Sequence, residues 1–250
     1  MKRMMKRILL PAALAPMLAA LLAAALITAL AAGALILPAN AADTDAGGRS
    51  AAATNSGAHD GPLARIKGGY AAIKDLKGGF VQTSKLKDLK KEMTFKGTFF
   101  IKIPGKMHWR YEETEKEEQV FINGPEIIVY QKKQGQAIRR KSDENTIAQT
   151  PIALLGGLKD IEKLYDAFEK KDAGGGTPDY VRFVPKNLHY NITHFDVFVA
   201  GGDFPVGKLT AYDRKGNEIE IVFKGVKVNT GVPDSTFVFT PPAGVKMVDN

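Results

Sequence analysis

The four histidines, His59, His108, His189 and His194, are the residues best able to hold a metal or move a proton, and their spacing supports neither. None stands in an H-E-x-x-H motif or any other paired-ligand spacing. The chain has no cysteine, which excludes a disulfide framework, a thiol nucleophile, cysteine-ligated zinc and an acylated N-terminal cysteine. Residues 112–118 hold five carboxylates, a density that in a short connector reads as a solvated face. Gly174-Gly-Gly-Thr177 is followed by no Gly-Lys-Ser/Thr and opens no helix, so it is no phosphate loop. Ser84, Ser142 and Ser235 lack G-x-S-x-G surroundings. Asn191-Ile-Thr193 fits a glycosylation acceptor but reads more plainly as strand. The expectation is no catalytic residue, no metal and no cofactor, and a protein that binds rather than catalyses.

What the sequence does offer is patterned apolar surface. Phe99, Ile101 and Ile103 alternate with Thr98 and Lys102, with Phe100 out of step. After Pro104-Gly105, Met107, Trp109 and Tyr111 alternate with Lys106, His108, Arg110 and Glu112. A period of two places one set on an apolar face and the other on a wet face. Pro104-Gly105 supplies a turn, so the two runs form a hairpin whose apolar sides agree. Runs over residues 119–123 and 126–131, joined at Asn123-Gly124, extend it to a meander. The only tryptophan, Trp109, lies on the apolar side.

The elements that must position this face follow in order. Met1 to Arg7 is a basic cap, and residues 8–37 form an uncharged Ala/Leu-rich run of about thirty residues. Ala39-Asn40-Ala41 then presents small residues where a signal peptidase reads. Residues 1–41 read as an export signal cut after Ala41; the run is also long enough to remain as a membrane anchor. Residues 42–61 lack large apolar side chains and read as a flexible leader, leaving 62–250 as one domain.

Leu63, Ile66, Tyr70, Ile73 and Leu76 recur at helical spacing, predicting an amphipathic helix closed by Gly78-Gly79 and followed by a strand over 80–84. The lysine-rich residues 85–92 read as a solvated hairpin loop, with a membrane-facing patch as the alternative. A strand over 136–141 precedes a compact helix over 150–157 bearing Ile152, Leu154 and Leu155. A further helix carries Ile161, Leu164, Tyr165 and Phe168 on one side. Four strands complete the chain, over 180–185, 192–199, 208–212 and 218–224. The chain is 25% charged and 44% hydrophobic, an ordinary globular composition. Of its net charge of +8, half lies in Lys2, Arg3, Lys6 and Arg7, and the excess beyond them is too small to argue for nucleic acid.

Seven markers in order resemble those of the periplasmic outer-membrane lipoprotein carrier of the lipoprotein-localisation (Lol) system. They are Phe80-x-Gln82, Ile101-Lys-Ile-Pro-Gly-Lys-Met-His-Trp-Arg-Tyr111, Asn123-Gly124 before Ile127-Ile-Val-Tyr130, Thr150-Pro151 before Leu154-Leu155, Leu188 after Pro185-Lys186, Asp213-x-x-Gly216-Asn217, and Phe237-x-Phe-x-Pro-Pro-x-Gly-Val245. The resemblance spans residues 62–248. It implies a mainly β fold, an incomplete curved antiparallel β-barrel of about 9–11 strands with a helical lid over an apolar cavity. Phe99, Ile101, Ile103, Met107, Trp109, Tyr111 and Tyr130 are then the expected cavity wall. Ile66, Tyr70, Ile73, Ile152, Leu154 and Leu155 are the expected lid.

The implied function is a monomeric periplasmic chaperone of a Gram-negative bacterium. It would take acylated lipoproteins from an inner-membrane ABC transporter to an outer-membrane receptor, where the organism has one. A carrier of another lipid or glycolipid, and a lipid- or lipoprotein-sensing domain, are the alternatives. One departure stands out: Ile103 occupies a position where the family often has an arginine that latches the lid, so closure is expected to rest on apolar contact.

Overall fold

Alternation of side chains, rather than helix periodicity, dominates the chain, and the fold follows it. The computed structural model describes residues 61–112, 117–141, 161–170, 179–186 and 192–249. One helix, α1 (Pro62–Ala71), precedes six strands: β1 (Asp75–Leu86), β2 (Lys91–Lys102), β3 (Lys106–Glu112), β4 (Glu118–Asn123), β5 (Glu126–Gln131) and β6 (Gln136–Lys141). A single helical turn, α2 (Ile161–Leu164), leads into β7 (Tyr165–Lys170). Then come β8 (Tyr180–Pro185), β9 (Ile192–Val199), β10 (Val206–Asp213), β11 (Glu218–Val228) and β12 (Lys246–Asp249).

All twelve strands form one curved sheet in the order β12-β6-β5-β4-β3-β2-β1-β11-β10-β9-β8-β7, open between β12 and β7. In the meander β2 to β5 the apolar sides of the first hairpin agree, as expected, with Phe99 opposite Trp109 and Ile101 opposite Met107. Its turns carry Gly105 at φ +70° and Gly124 at φ +61°, left-handed conformations that glycine adopts without steric penalty. The two turns are joined by a bond from the Gly124 amide to the Gly105 carbonyl, 3.2 Å.

Four expectations are corrected. The first helix ends at Ala71, and Leu76 and Gly78-Gly79 lie in β1. The cause is a contact from far along the chain: the Asn229 amide side chain accepts from the Lys74 N–H (2.8 Å) and donates to the Ala72 carbonyl (3.0 Å), reversing the backbone there. The helix expected to carry Tyr165 and Phe168 stops at Leu164, and β7 begins because β8 offers a ladder of hydrogen bonds. The described residues hold twelve strands, where about 9–11 are expected. Finally, β12 runs parallel to β6, a pairing that side-chain alternation cannot announce.

The sheet is buried on both faces in its central part. Its inner face holds the main apolar cluster, from Ile66 of α1 through Phe80, Phe99 and Trp109 to Phe183, Phe195 and Phe223. A second cluster, Phe121, Ile128, Tyr130 and Ala137, lies on the outer face under Phe239, Val245 and Met247 of the returning C-terminal segment. The face expected to be wet is therefore partly roofed. Glu118, expected to be solvated, is buried on the other, inner face, which it shares with Val120, and accepts from Gln131 Nε2 at 3.3 Å.

Candidate functional site

Alternation along β2 and β3, with the turn between them, brings six of the expected wall residues to one place. Phe99, Ile101, Met107, Trp109 and Tyr111 are buried in the main cluster, and Ile103 packs against its margin. Tyr130 does not join them. Trp109 is in register with Val120, and Val120 with Val129, so the next residue along β5 faces the other way. Residues 127–130 are apolar throughout, and a continuous apolar run does not reveal which of its members faces which side.

Aromatic rings form a continuous path across the inner face. Tyr111 meets Phe80 edge-on (5.3 Å), Phe80 meets Trp109 (4.0 Å), and Trp109 stacks on Phe99 (5.5 Å). Phe99 meets Phe223 (5.5 Å), Phe223 meets Phe204 (5.7 Å), and Phe204 meets Tyr70 of α1 (5.8 Å). The path thus links the central hairpin to the helix. Phe80 and Phe223 were legible as alternating strand residues; Phe204 follows Gly201-Gly202 in a connection and left no periodic signal.

The inner face has a polar end towards the β1–β2 turn. The Tyr111 hydroxyl donates to Gln82 Oε1 (2.8 Å), and Gln82 Nε2 donates to Ser84 Oγ (3.0 Å), with Gln82 and Ser84 both buried. Burial first, and the nearby Glu118 carboxylate second, raise the Tyr111 pKa, so this hydroxyl stays protonated and able to donate. Inner-face chemistry thus runs from hydrocarbon-like at Ile101 and Met107 to amide- and hydroxyl-lined at Gln82 and Ser84.

The helix α1 lies beside β7, β8 and β9 and puts Ile66 and Tyr70 into the main cluster, with Ile73 following it. Ile152, Leu154 and Leu155 lie outside the described residues. Polar contacts hold α1 as well as apolar ones. Arg65 pairs with Asp179 (2.9 Å), Lys67 with Glu162 (2.8 Å), and the Leu63 amide donates to Glu169 Oε1 (2.8 Å). These bonds tie the helix to α2, β7 and the start of β8, away from Ile103, and only folding brings them within reach. Glu169 also meets an amide that the first turn of a helix leaves unbonded.

His59 and His189 lie outside the described residues; the other two histidines, and Arg182, have structural partners. His108 Nε2 is 2.9 Å from Gln119 Oε1 and its ring stacks on Phe121 at 4.0 Å. His194 stacks on Tyr212, and Arg182 makes a two-bond fork with buried Asp196, both bonds 2.8 Å. Among the described residues no three His, Asp or Glu side chains are grouped to hold a metal ion. Nor is any helix among them long and apolar enough to cross a membrane.

Comparison with known proteins adds to this geometry. A model of the family described as outer membrane lipoprotein carrier protein LolA matches residues 71–240. The outer-membrane lipoprotein carrier protein of Neisseria gonorrhoeae is 30% identical over 175 residues, 70% of this chain and 81% of that protein. Its counterpart in Ralstonia nicotianae is 28% identical over 207 residues, 80% of this chain and 92% of that protein. A LolA superfamily protein of Nitrosomonas europaea, NE2245, superposes with a TM-score of 0.45 at 11% identity, over 71% of this chain and 96% of that one.

Proposed function

The chain belongs to the LolA family of outer membrane lipoprotein carrier proteins, and from that membership we propose that it shelters the acyl chains of lipoproteins against its inner sheet face. The observation that carries the reading is the unbroken aromatic path from Tyr111 to Tyr70, which joins the sheet to a separately tethered helix. The wall is Phe99, Ile101, Ile103, Met107, Trp109 and Tyr111, and α1 is the part that moves. On this reading residues 1–41 direct export, residues 42–61 are a leader, and 62–250 work as a monomeric carrier in the periplasm. An inner-membrane ABC transporter supplies the cargo and an outer-membrane receptor takes it.

The physical need is plain. Each buried CH₂ holds a lipid in its bilayer by ~0.8 kcal/mol, on the order of 11 kcal/mol for one sixteen-carbon chain. Spontaneous crossing of an aqueous space is then negligibly slow, and a carrier must offer comparable apolar burial that it can also give up. Strand pairing provides durable walls. A ten-residue helix held by exposed ion pairs, each worth ~0–1 kcal/mol, provides a cheap opening. Acyl tails would lie toward Ile101 and Met107, and the ester and amide carbonyls of the cargo toward Gln82 and Ser84.

A transfer assay tests the reading. A glutamate at Met107 or at the half-buried Ile103 puts an uncompensated charge, or the water it retains, where hydrocarbon must go. Met107→Glu and Ile103→Glu should lower lipoprotein transfer from inner-membrane vesicles roughly tenfold or more. Arg110→Glu, on the outer face, should leave it within about twofold. Folding is checked by circular dichroism, and Ile103→Glu guards against an unfolded Met107 variant. Normal transfer by folded Ile103→Glu together with failure of Arg110→Glu would reject the inner face as the binding surface.

A further inference from the structure

The turn between β1 and β2 exposes what most of the molecule hides. Leu89, at its tip, is 59% exposed, the largest value among the exposed large apolar side chains of the described residues. It stands within Lys85-Leu-Lys-Asp-Leu-Lys-Lys-Glu92. Lys87, Lys90 and Lys91 are exposed, and neither they nor Arg214 and Lys215 enter an ion pair among the described residues. Arg214 and Lys215 belong to the β10–β11 turn, which the fold sets alongside: the Lys87 amide donates to Asn217 Oδ1 at 3.0 Å, and the Lys87 side chain crosses Gly216. Of the nearby carboxylates, Glu218 is paired with Lys85 (3.0 Å), and Asp213 accepts from the Lys215 and Asn217 amides (2.8 Å each). Asp88 and Glu92 remain against five cations.

We propose that this hairpin tip is a contact site for an anionic lipid bilayer, with Leu89 entering the acyl boundary and Lys87, Lys90, Lys91, Arg214 and Lys215 engaging acidic headgroups. Three observations converge on a membrane. An exposed leucine in a lysine-rich turn, with a second basic turn alongside and no ion pair for these five cations among the described residues, matches a bilayer surface in both polarity and charge, apolar below and anionic above. Among the described residues β2 runs five residues past its last partner in β3, from Lys96 opposite Glu112 out to Lys91, which leaves that side of the tip without a described strand. The turn also keeps a lysine where glycine would be relaxed, since Lys90 closes the turn onto the Lys87 carbonyl (3.1 Å) at φ +47°. The tip lies at the same end of the sheet as Gln82 and Ser84, the polar end of the inner face. The proposal rests on the hairpin itself and needs no cargo.

Each lysine near an anionic surface strengthens binding roughly fivefold, and burying a leucine side chain favours the bound state roughly ten- to a hundredfold. The chain has no cysteine, so Leu89→Cys gives one attachment point for a fluorophore sensitive to its surroundings. The full-length protein carrying that label is mixed with vesicles of phosphatidylglycerol and phosphatidylethanolamine in equal parts, or of phosphatidylcholine alone. Val238→Cys, at an exposed site on the C-terminal segment, is the control, because the apolar N-terminal run can hold the chain to a vesicle without involving the hairpin. The label at position 89 should shift to the blue and be quenched by acyl-chain quenchers in the anionic vesicles only, while the label at 238 stays in water. Adding Lys87→Glu, Lys90→Glu and Lys91→Glu together should weaken the response at least roughly a hundredfold, the loss of three lysines alone. A label at 89 that remains in water, one that shifts equally in phosphatidylcholine, or one that shifts together with the label at 238 overturns the proposal. Lipoprotein is absent throughout, so failure here leaves the carrier reading to its own assay.

Discussion

Gly97 shows how much of the inner face depends on one missing side chain. It lies between Phe80 on β1 and Tyr111 on β3 in the strand register. A Cβ there would fall 2.5 Å from two carbons of the Phe80 ring and against the Arg110 carbonyl oxygen. The Phe80 ring crosses β2 at this point to reach Trp109, and no rotamer of Phe80 relieves a clash with backbone. Gly97→Ala should therefore destabilise the protein by ~1–3 kcal/mol, the usual penalty for overpacking a core. Urea unfolding followed by Trp109 fluorescence measures it; an unchanged midpoint would mean that β2 and β3 separate more easily than their register implies.

At the scale of the element, the two adjacent glycines of α1 have opposite roles. Nothing lies within 4 Å of a Cβ built on Gly68, so there the glycine only weakens the helix. At Gly69 a Cβ would meet Pro205 Cγ at 2.7 Å and Cβ at 2.8 Å, so that glycine permits the close seat of the helix on the β9–β10 connection. Gly68→Ala should stabilise α1 by ~1 kcal/mol and slow amide exchange there about fivefold. Gly69→Ala should speed that exchange by lifting the helix from Pro205, despite the same gain in propensity. Hydrogen exchange of residues 62–71 separates the two outcomes, and equal effects from both would show that the helix is not docked as described. If α1 is the moving part, Gly68→Ala should also slow cargo release.

Across the whole molecule, the C-terminal segment ties the two ends of the described domain together, and its anchors titrate. Asp75, at the start of β1, accepts from the Thr230 amide (2.8 Å) and hydroxyl (3.2 Å) and from the Gly231 amide (3.1 Å). Burial alone would raise its pKa, but these hydrogen bonds outweigh it and hold the carboxyl below its usual range. Its contribution is present above the unfolded value, about 3.9, and is lost as pH falls through the lower folded value. His108 sits against the same segment, and burial lowers its pKa, with Arg110 adding to the effect and the bond to Gln119 opposing it. The folded state then holds fewer protons than the unfolded chain, so stability falls as pH drops below about 6.5 until the folded value is passed. His194, also lowered by burial and by Arg182, contributes in the same sense. His108→Phe should flatten part of the loss between about pH 7 and 5, read from urea midpoints. A dependence identical to the parent's would mean that His108 is solvated in the folded protein.

The local pattern was enough for the meander, its turns and the inner membership of Phe99, Ile101, Met107, Trp109 and Tyr111. A strand's facing and a turn's left-handed residue are properties of a few neighbouring positions, so two-residue alternation and Pro104-Gly105 or Asn123-Gly124 state them directly. The order of seven short markers likewise carried the family. Tertiary structure decided whatever depends on residues distant in the chain. Asn229 ends α1, the register of four strands turns Tyr130 outward, and Arg65 finds Asp179, 114 positions away. The parallel seat of β12 on β6 places Met247 over an outer face that alternation alone marks as wet. Leu89 is the sharpest case. An isolated leucine among lysines reads as an ordinary loop residue, and only a fold that buries Leu86 three positions earlier while leaving Leu89 uncovered shows that its apolar surface is available to something outside the chain.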